Sequence, residues 1–367
     1  MRGRGLENPR SCRPPQTLLT KRGRVVYHEG MSKKIFLDAL KPRAPGEPYI
    51  PATGSATSVV SMPLMEKANA WFPEAHLDAA KMADLAEAGH TVLGFDNVMP
   101  VYSTWHEAAA LGADVNWGEP NRMPNCHTPV LASIEEDVAI PADFESRPAM
   151  RVVTQALSML KKRLGNDAAV TGKFFGPWTL AYDVYGIENF LIATLENPGR
   201  VKKILRALLP ASIRSANAQI DAGADALALC DHCTRDLCSP DAYRDFLFEI
   251  HCELAQTLRV PLILHICGDT SDRIRHIRET GVAMFHFDSK TGLENTLREA
   301  RGFPLMGGTS NLHIVRSGTP ESTRADVEEK LAAHIAVIGP ECAVPLDSPL
   351  ENMQTISRAV KQFRATT

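Results

Sequence analysis

Ala224-Asp-Ala-Leu-Ala-Leu-Cys-Asp231 and Pro261-Leu-Ile-Leu-His-Ile-Cys-Gly-Asp269 are two short apolar runs that each close on polar residues, and Pro240–Arg259 between them reads as a helix. Strand, helix, strand is the unit of a parallel sheet, because a crossover helix carries the chain back to start the next strand at the same end. Six more runs repeat the pattern on either side: Tyr49-Ile-Pro-Ala-Thr-Gly54, Thr91-Val-Leu-Gly-Phe-Asp96, Ala168-Ala-Val-Thr-Gly-Lys-Phe174, Val282-Ala-Met-Phe-His-Phe-Asp288, Pro304-Leu-Met-Gly-Gly-Thr-Ser310 and Cys342-Ala-Val-Pro-Leu-Asp-Ser348. Helical segments are expected at Ala75–Ala88, Pro198–Ala222, Ser271–Thr280, Leu293–Arg301 and Pro320–Ile338. Eight strands separated by helices suit an α/β fold closed as a (β/α)8 TIM barrel better than an open doubly wound sheet. Ser239-Pro240-Asp241 and Thr319-Pro320-Glu321 each put a hydroxyl before a proline and an acid in the first turn, which is helix-initiation chemistry. The stretch Tyr102 to Arg147 lacks the pattern and is the expected insertion. Nearly every strand ends in polar or small residues, and in a barrel those ends share the rim where active sites are built.

The 367 residues carry a formal charge of −3 with acids and bases interspersed, so nucleic acid and anionic membrane surfaces are not expected partners. No apolar run reaches the ~20 residues of a membrane span. Eight cysteines in a long chain without a secretory signal read as reduced thiols or metal ligands, which points to the cytoplasm. Residues 1–30 hold six arginines and no periodicity and are expected to be a disordered leader, with residues 31–367 forming one catalytic barrel domain.

The sharpest local feature is His265-Ile266-Cys267, closing the apolar strand Val260 to Leu264. Side chains two apart on a strand share a face, and imidazole and thiolate are the donors zinc prefers. Cys342, in Gly339-Pro-Glu-Cys342, opens or immediately precedes the last expected strand and is a candidate third ligand; two sulfurs and one nitrogen would leave zinc a fourth, open position. The plainer reading is that Cys267 packs as a small hydrophobe. Cys230-Asp231-His232-Cys233, followed by Cys238, is a rival Cys-x2-Cys cluster without a second pair. Phosphate-loop, dinucleotide and nucleophile-elbow motifs are absent.

Thr53-Gly-Ser-Ala-Thr-Ser58, Leu64-Met-Glu-Lys-Ala-Asn-Ala-Trp-Phe-Pro-Glu-Ala-His76, Lys81-Met-Ala-Asp-Leu-Ala86, His265-Ile-Cys-Gly-Asp269 and Gly339-Pro-Glu-Cys342 with Ser348-Pro-Leu-Glu-Asn352 together resemble the methylcobalamin:coenzyme M methyltransferases of the uroporphyrinogen decarboxylase superfamily. The resemblance runs from about Met31 to the C-terminus. It implies a TIM barrel with zinc held by His265, Cys267 and Cys342, a methylated corrinoid presented by a corrinoid protein as methyl donor, and a small thiol as acceptor. The decarboxylase branch carries an Arg-Gln-Ala-Gly-Arg type motif for porphyrinogen carboxylates, where this chain has Thr53 to Ser58. That departure counts against a decarboxylase-like lyase, which stays the alternative beside a closed structural zinc module and transfer to tetrahydrofolate or another acceptor. Asp288 is a candidate fourth zinc ligand or a hydrogen-bond partner of His265. Asp96, Trp178 and Asp231, at other strand ends, are candidates for the substrate or corrinoid face, with a purely structural rim role as the competing reading.

Overall fold

The computed structural model describes residues 31–366; the arginine-rich segment assigned to a disordered leader lies outside the described residues. Eight strands form: β1 (Ala52–Thr53), β2 (Asn97–Val98), β3 (Ala169–Phe175), β4 (Ala226–Cys230), β5 (Leu262–His265), β6 (Met284–Phe287), β7 (Leu305–Thr309) and β8 (Val337–Pro340). All paired neighbours are parallel, in the order β1-β8-β7-β6-β5-β4-β3-β2. β1 and β2 meet at a seam: the Asp96 N–H donates to the Thr53 carbonyl at 2.8 Å, and the Asn97 side chain accepts from the Ser55 N–H at 3.1 Å and donates to the Ser55 carbonyl at 2.9 Å. The expected (β/α)8 barrel is therefore the observed fold.

Alternation along each strand divides the buried residues between two cores. Ala52, Ala169, Ala226, Ala228, Ile263, Met284, Met306 and Val337 fill the barrel interior. Their neighbours, such as Leu227, Leu229, Leu262 and Leu264, face outward into the larger core beneath the helices. Ile263 belongs to the interior, so His265, two residues further along β5, faces the same interior at the barrel mouth.

Two strands lie elsewhere than the sequence suggests. The helix Ala79–Thr91 takes in the start of the run Thr91 to Asp96, and hydrogen bonds from Leu93 to Ala88, Gly94 to His90 and Phe95 to Gly89 wind the rest into its C-terminal turn. Leu93 and Phe95 are buried by helix-end packing, and β2 begins only at Asn97. The helix expected over Pro320–Ile338 stops at Ala332, where His334 takes a left-handed φ of 57° and turns the chain into β8. Cys342 thus follows the last strand, on the rim. Pro240–Arg259 is interrupted at Leu247 into helices Pro240–Phe246 and Phe248–Thr257, and Ser271–Thr280 contracts to Ile274–Ile277. Both expected caps form: Ser239 Oγ accepts from the Ala242 N–H, and Thr319 with Ser322 makes a reciprocal capping box. The insertion at 102–147 contains the helix His106–Leu111 and an antiparallel bridge between Asn116 and Asn125. No helix among the described residues is long and apolar enough to cross a membrane.

Candidate metal centre

His265 ends β5, Cys267 follows two residues later, and Cys342 follows β8; the fold brings the three together with their ligand atoms within 4.8 Å of one another. His265 Nε2 lies 3.0 Å from Cys267 Sγ, which lies 3.1 Å from Cys342 Sγ. The other ring nitrogen, Nδ1, stands 3.2 Å from the carbonyl oxygen of His286 on β6. A carbonyl can only accept, so Nδ1 carries the proton and Nε2 turns a free lone pair toward the two sulfurs. This is the arrangement by which metal-binding histidines are fixed in tautomer and orientation. The hydrogen bond from Cys267 and the neighbouring His265 hold the Cys342 thiol well below its ordinary range, while sharing that proton with Cys342, together with burial, pushes Cys267 up. Among the described residues no other group of three such donors forms. One imidazole and two sulfurs at a cavity wall fit a tetrahedral zinc with one position left open.

Asp288 stands outside this trio. Its Oδ2 accepts from the Gly268 N–H at 2.8 Å and its Oδ1 from the Lys290 N–H at 2.9 Å, so it clamps the turn that leaves Cys267. Gly268 has φ +78°, a left-handed conformation that disfavours a side chain, and a Cβ there would lie 2.5 Å from Thr234 Oγ1.

The trio opens onto a cavity of about 540 Å³, whose wall includes Lys173, Thr179, Tyr182, Asp183, Asp231 and His232. The insertion adds Thr104, Trp105 and Cys126 to Pro129 to that wall. Of the residues expected to face substrate, Asp231 does line the cavity, yet its oxygens are engaged: Oδ1 accepts from the N–H and hydroxyl of Thr179, and Oδ2 from His251, which contacts the Tyr243 hydroxyl. Trp178 lies fully buried behind the wall, its indole N–H donating to Tyr182. Asp96 is not on the mouth. It precedes β2, at the opposite end of the strand from the rim, where it accepts from the Thr53 N–H and pairs with Arg364 of the C-terminal helix at 2.9 Å. Its apparent place at a strand's polar end came from reading Thr91 to Asp96 as the strand.

The rival cysteine cluster dissolves. Cys230 ends β4 on the cavity wall with burial pushing its thiol up to about 12, whereas Cys233 and Cys238 are buried beside Arg273, whose guanidinium donates to both their carbonyls. Two further wall residues had drawn no attention as site residues. Lys173 on β3 is buried with its ammonium 3.3 Å from Ser58 Oγ and within electrostatic reach of Cys230, Cys342 and Cys267. Asp183 sits in the helix Pro177–Tyr185, all nine of whose residues are buried. A single acid in such an apolar helix was the available signal.

The model of the uroporphyrinogen decarboxylase (URO-D) family matches residues 31–363. The chain belongs to the uroporphyrinogen decarboxylase family. Within it, this chain is 29% identical over 315 residues to a methylated-thiol–coenzyme M methyltransferase of Methanosarcina mazei, covering 86% of this chain and 85% of that one. It is 27% identical over 314 residues to the methylcobamide:CoM methyltransferase MtaA of Methanosarcina barkeri, covering 85% and 93%. Among solved structures, a methyltransferase from Methanosarcina mazei superposes with a TM-score of 0.85 at 28% identity, covering 90% of this chain and 98% of that one. These likenesses span nearly the whole described barrel of the URO-D family chain.

Proposed function

We propose that this protein is a corrinoid-dependent methyltransferase that binds zinc through His265, Cys267 and Cys342 and moves a methyl group from a methylated corrinoid, free or carried by a corrinoid protein, to a small thiol such as coenzyme M. The observation that carries this reading is the convergence of those three side chains at the mouth of a cavity, with His265 held in the ligating tautomer by the His286 carbonyl. The relatives named above, whose names specify methyl transfer to coenzyme M, support it.

When bound, zinc would keep an incoming thiol deprotonated, and so nucleophilic, at neutral pH. The chain's own residues do the rest. Cys267 and Cys342 add negative charge on the sulfur side, and Lys173 places a buried cation beside them, limiting the cost of gathering anionic sulfur in a dry site. Asp288 fixes the turn after Cys267, and Thr104, Trp105 and Cys126 to Pro129 border the cavity in which the thiol would sit. The methylated corrinoid would supply the methyl group for the thiol sulfur and keep the electron pair of the bond it gives up, and the thiol proton would pass to solvent.

The test is to replace His265 or Cys342 by alanine and to measure bound zinc together with methylcobalamin consumed in the presence of thiol. Loss of both is expected. Full metal and full activity in either variant would end the proposal.

A further inference from the structure

The cavity wall on the β3 side carries an unpaired acid. Asp183 lies on the helix that follows β3, two strands around from β5, and lines the cavity. Its side chain is 9% exposed, its Oδ2 is buried without a hydrogen-bond partner, and it makes no hydrogen bond or ion pair among the described residues. A buried polar atom left unpaired costs free energy that a bound partner can recover. Nearby Glu107, also buried, uses Oε1 to accept from Ser215 at 2.8 Å and leaves Oε2 unpaired. Burial raises both carboxyls and Glu107 raises Asp183 further, while the Ser215 hydroxyl and the Lys173 charge act the other way on Glu107. No arginine lines the cavity among the described residues, and the single lysine there, Lys173, lies within electrostatic reach of Cys230, Glu107 and the two ligand sulfurs.

A sulfonate or carboxylate at the tail of the acceptor would meet no guanidinium there and, at Asp183, an unpaired acid. An ammonium group would meet an unpaired carboxyl that ionises as the cation arrives, giving a charge-assisted hydrogen bond. We propose that Asp183 is a specificity-determining residue for the acceptor, which is a small thiol carrying an ammonium group at its far end. This rests on the thiol-binding reading above and makes coenzyme M, whose tail is a sulfonate, a disfavoured acceptor.

The test uses the full chain loaded with cobalt(II) in place of zinc, so that thiol binding is read from the sulfur-to-cobalt charge-transfer band whether or not methyl transfer follows. Cysteamine, 2-mercaptoethanol and 2-mercaptoethanesulfonate differ only in the tail. Cysteamine is expected to bind roughly ten- to hundredfold more tightly than the sulfonate, the range of one charge-assisted hydrogen bond. In Asp183→Asn that preference should collapse while 2-mercaptoethanol affinity stays within about threefold, a control that also shows the variant is folded. Equal or tighter binding of the sulfonate by the parent protein overturns the inference, as does a variant that keeps the preference. A shift confined to the Michaelis constant for methylcobalamin would assign Asp183 to the corrinoid instead, and also overturns it. Tail-dependent binding without methyl transfer from either methylcobalamin or a methylated corrinoid protein would sink the methyltransferase reading and leave this one standing.

Discussion

Replacing Asp288 by alanine separates a metal ligand from a residue that holds a ligand's loop. In the structure its two carboxylate oxygens go to the Gly268 and Lys290 N–H groups at 2.8 and 2.9 Å. Alanine leaves the Gly268 N–H, next in the chain to Cys267, without its acceptor, a loss toward the low end of about 1–3 kcal/mol for a half-buried group. Part of that falls on metal binding, since Cys267 must then be ordered by the ion itself; outer partners of metal ligands typically cost 10–100-fold in affinity, or about 1.4–2.7 kcal/mol. The expected result is zinc affinity weakened by roughly that factor, with one nitrogen and two protein sulfurs still bound. Competition with a chromophoric chelator measures the affinity, and X-ray absorption counts the ligands. Affinity unchanged within about twofold, or a collapse beyond about a thousandfold together with loss of an oxygen ligand, would refute the reasoning.

Two further predictions concern the barrel around the site. Burial raises the Glu107 carboxyl from its ordinary 4.5 to about 7, so the folded chain keeps a proton that the unfolded chain has released. The resulting stabilisation is complete below the lower value and lost as pH rises through the higher one, up to roughly 3 kcal/mol at 1.36 kcal/mol per unit; Glu107→Gln should flatten the change in urea-unfolding free energy between pH 5 and 8, and an unaltered slope would count against it. The buried Asp96–Arg364 pair ties the C-terminal helix to the β1–β2 seam, so Arg364→Ala should cost roughly 3–5 kcal/mol of unfolding free energy by stranding the carboxylate, with zinc content unchanged at low denaturant. A loss below about 1 kcal/mol would show that the pair is dispensable.

The barrel was legible because strands such as Pro261 to Leu264 are apolar on both faces and recur with helices between them, and tight parallel packing leaves little else for such runs to do. His265 and Cys267 were legible for the same reason, since polar residues ending an apolar strand must face the mouth. Strand boundaries were not. Leu93 and Phe95 look like strand residues, yet helix-end hydrogen bonds and core packing account for their burial, and this put Asp96 at the wrong end of the barrel. Val337 and Ile338 looked like the tail of a helix because nothing in the run 332–336 advertises a left-handed residue at His334. Cys342 was picked as a ligand but set at the head of a strand it follows. Asp183 escaped because an isolated acid in a helix acquires meaning only when its neighbours prove to be buried on every side.

The donors straddle the chain: two come from β5 and its exit, and the third arrives after β8, 75 residues later. A nascent polypeptide that has laid down the first six strands holds only two of the three donors. On the zinc-binding proposal, tight loading would wait until the final strand has docked against the first, so that a metal-loaded protein would be a record of completed folding.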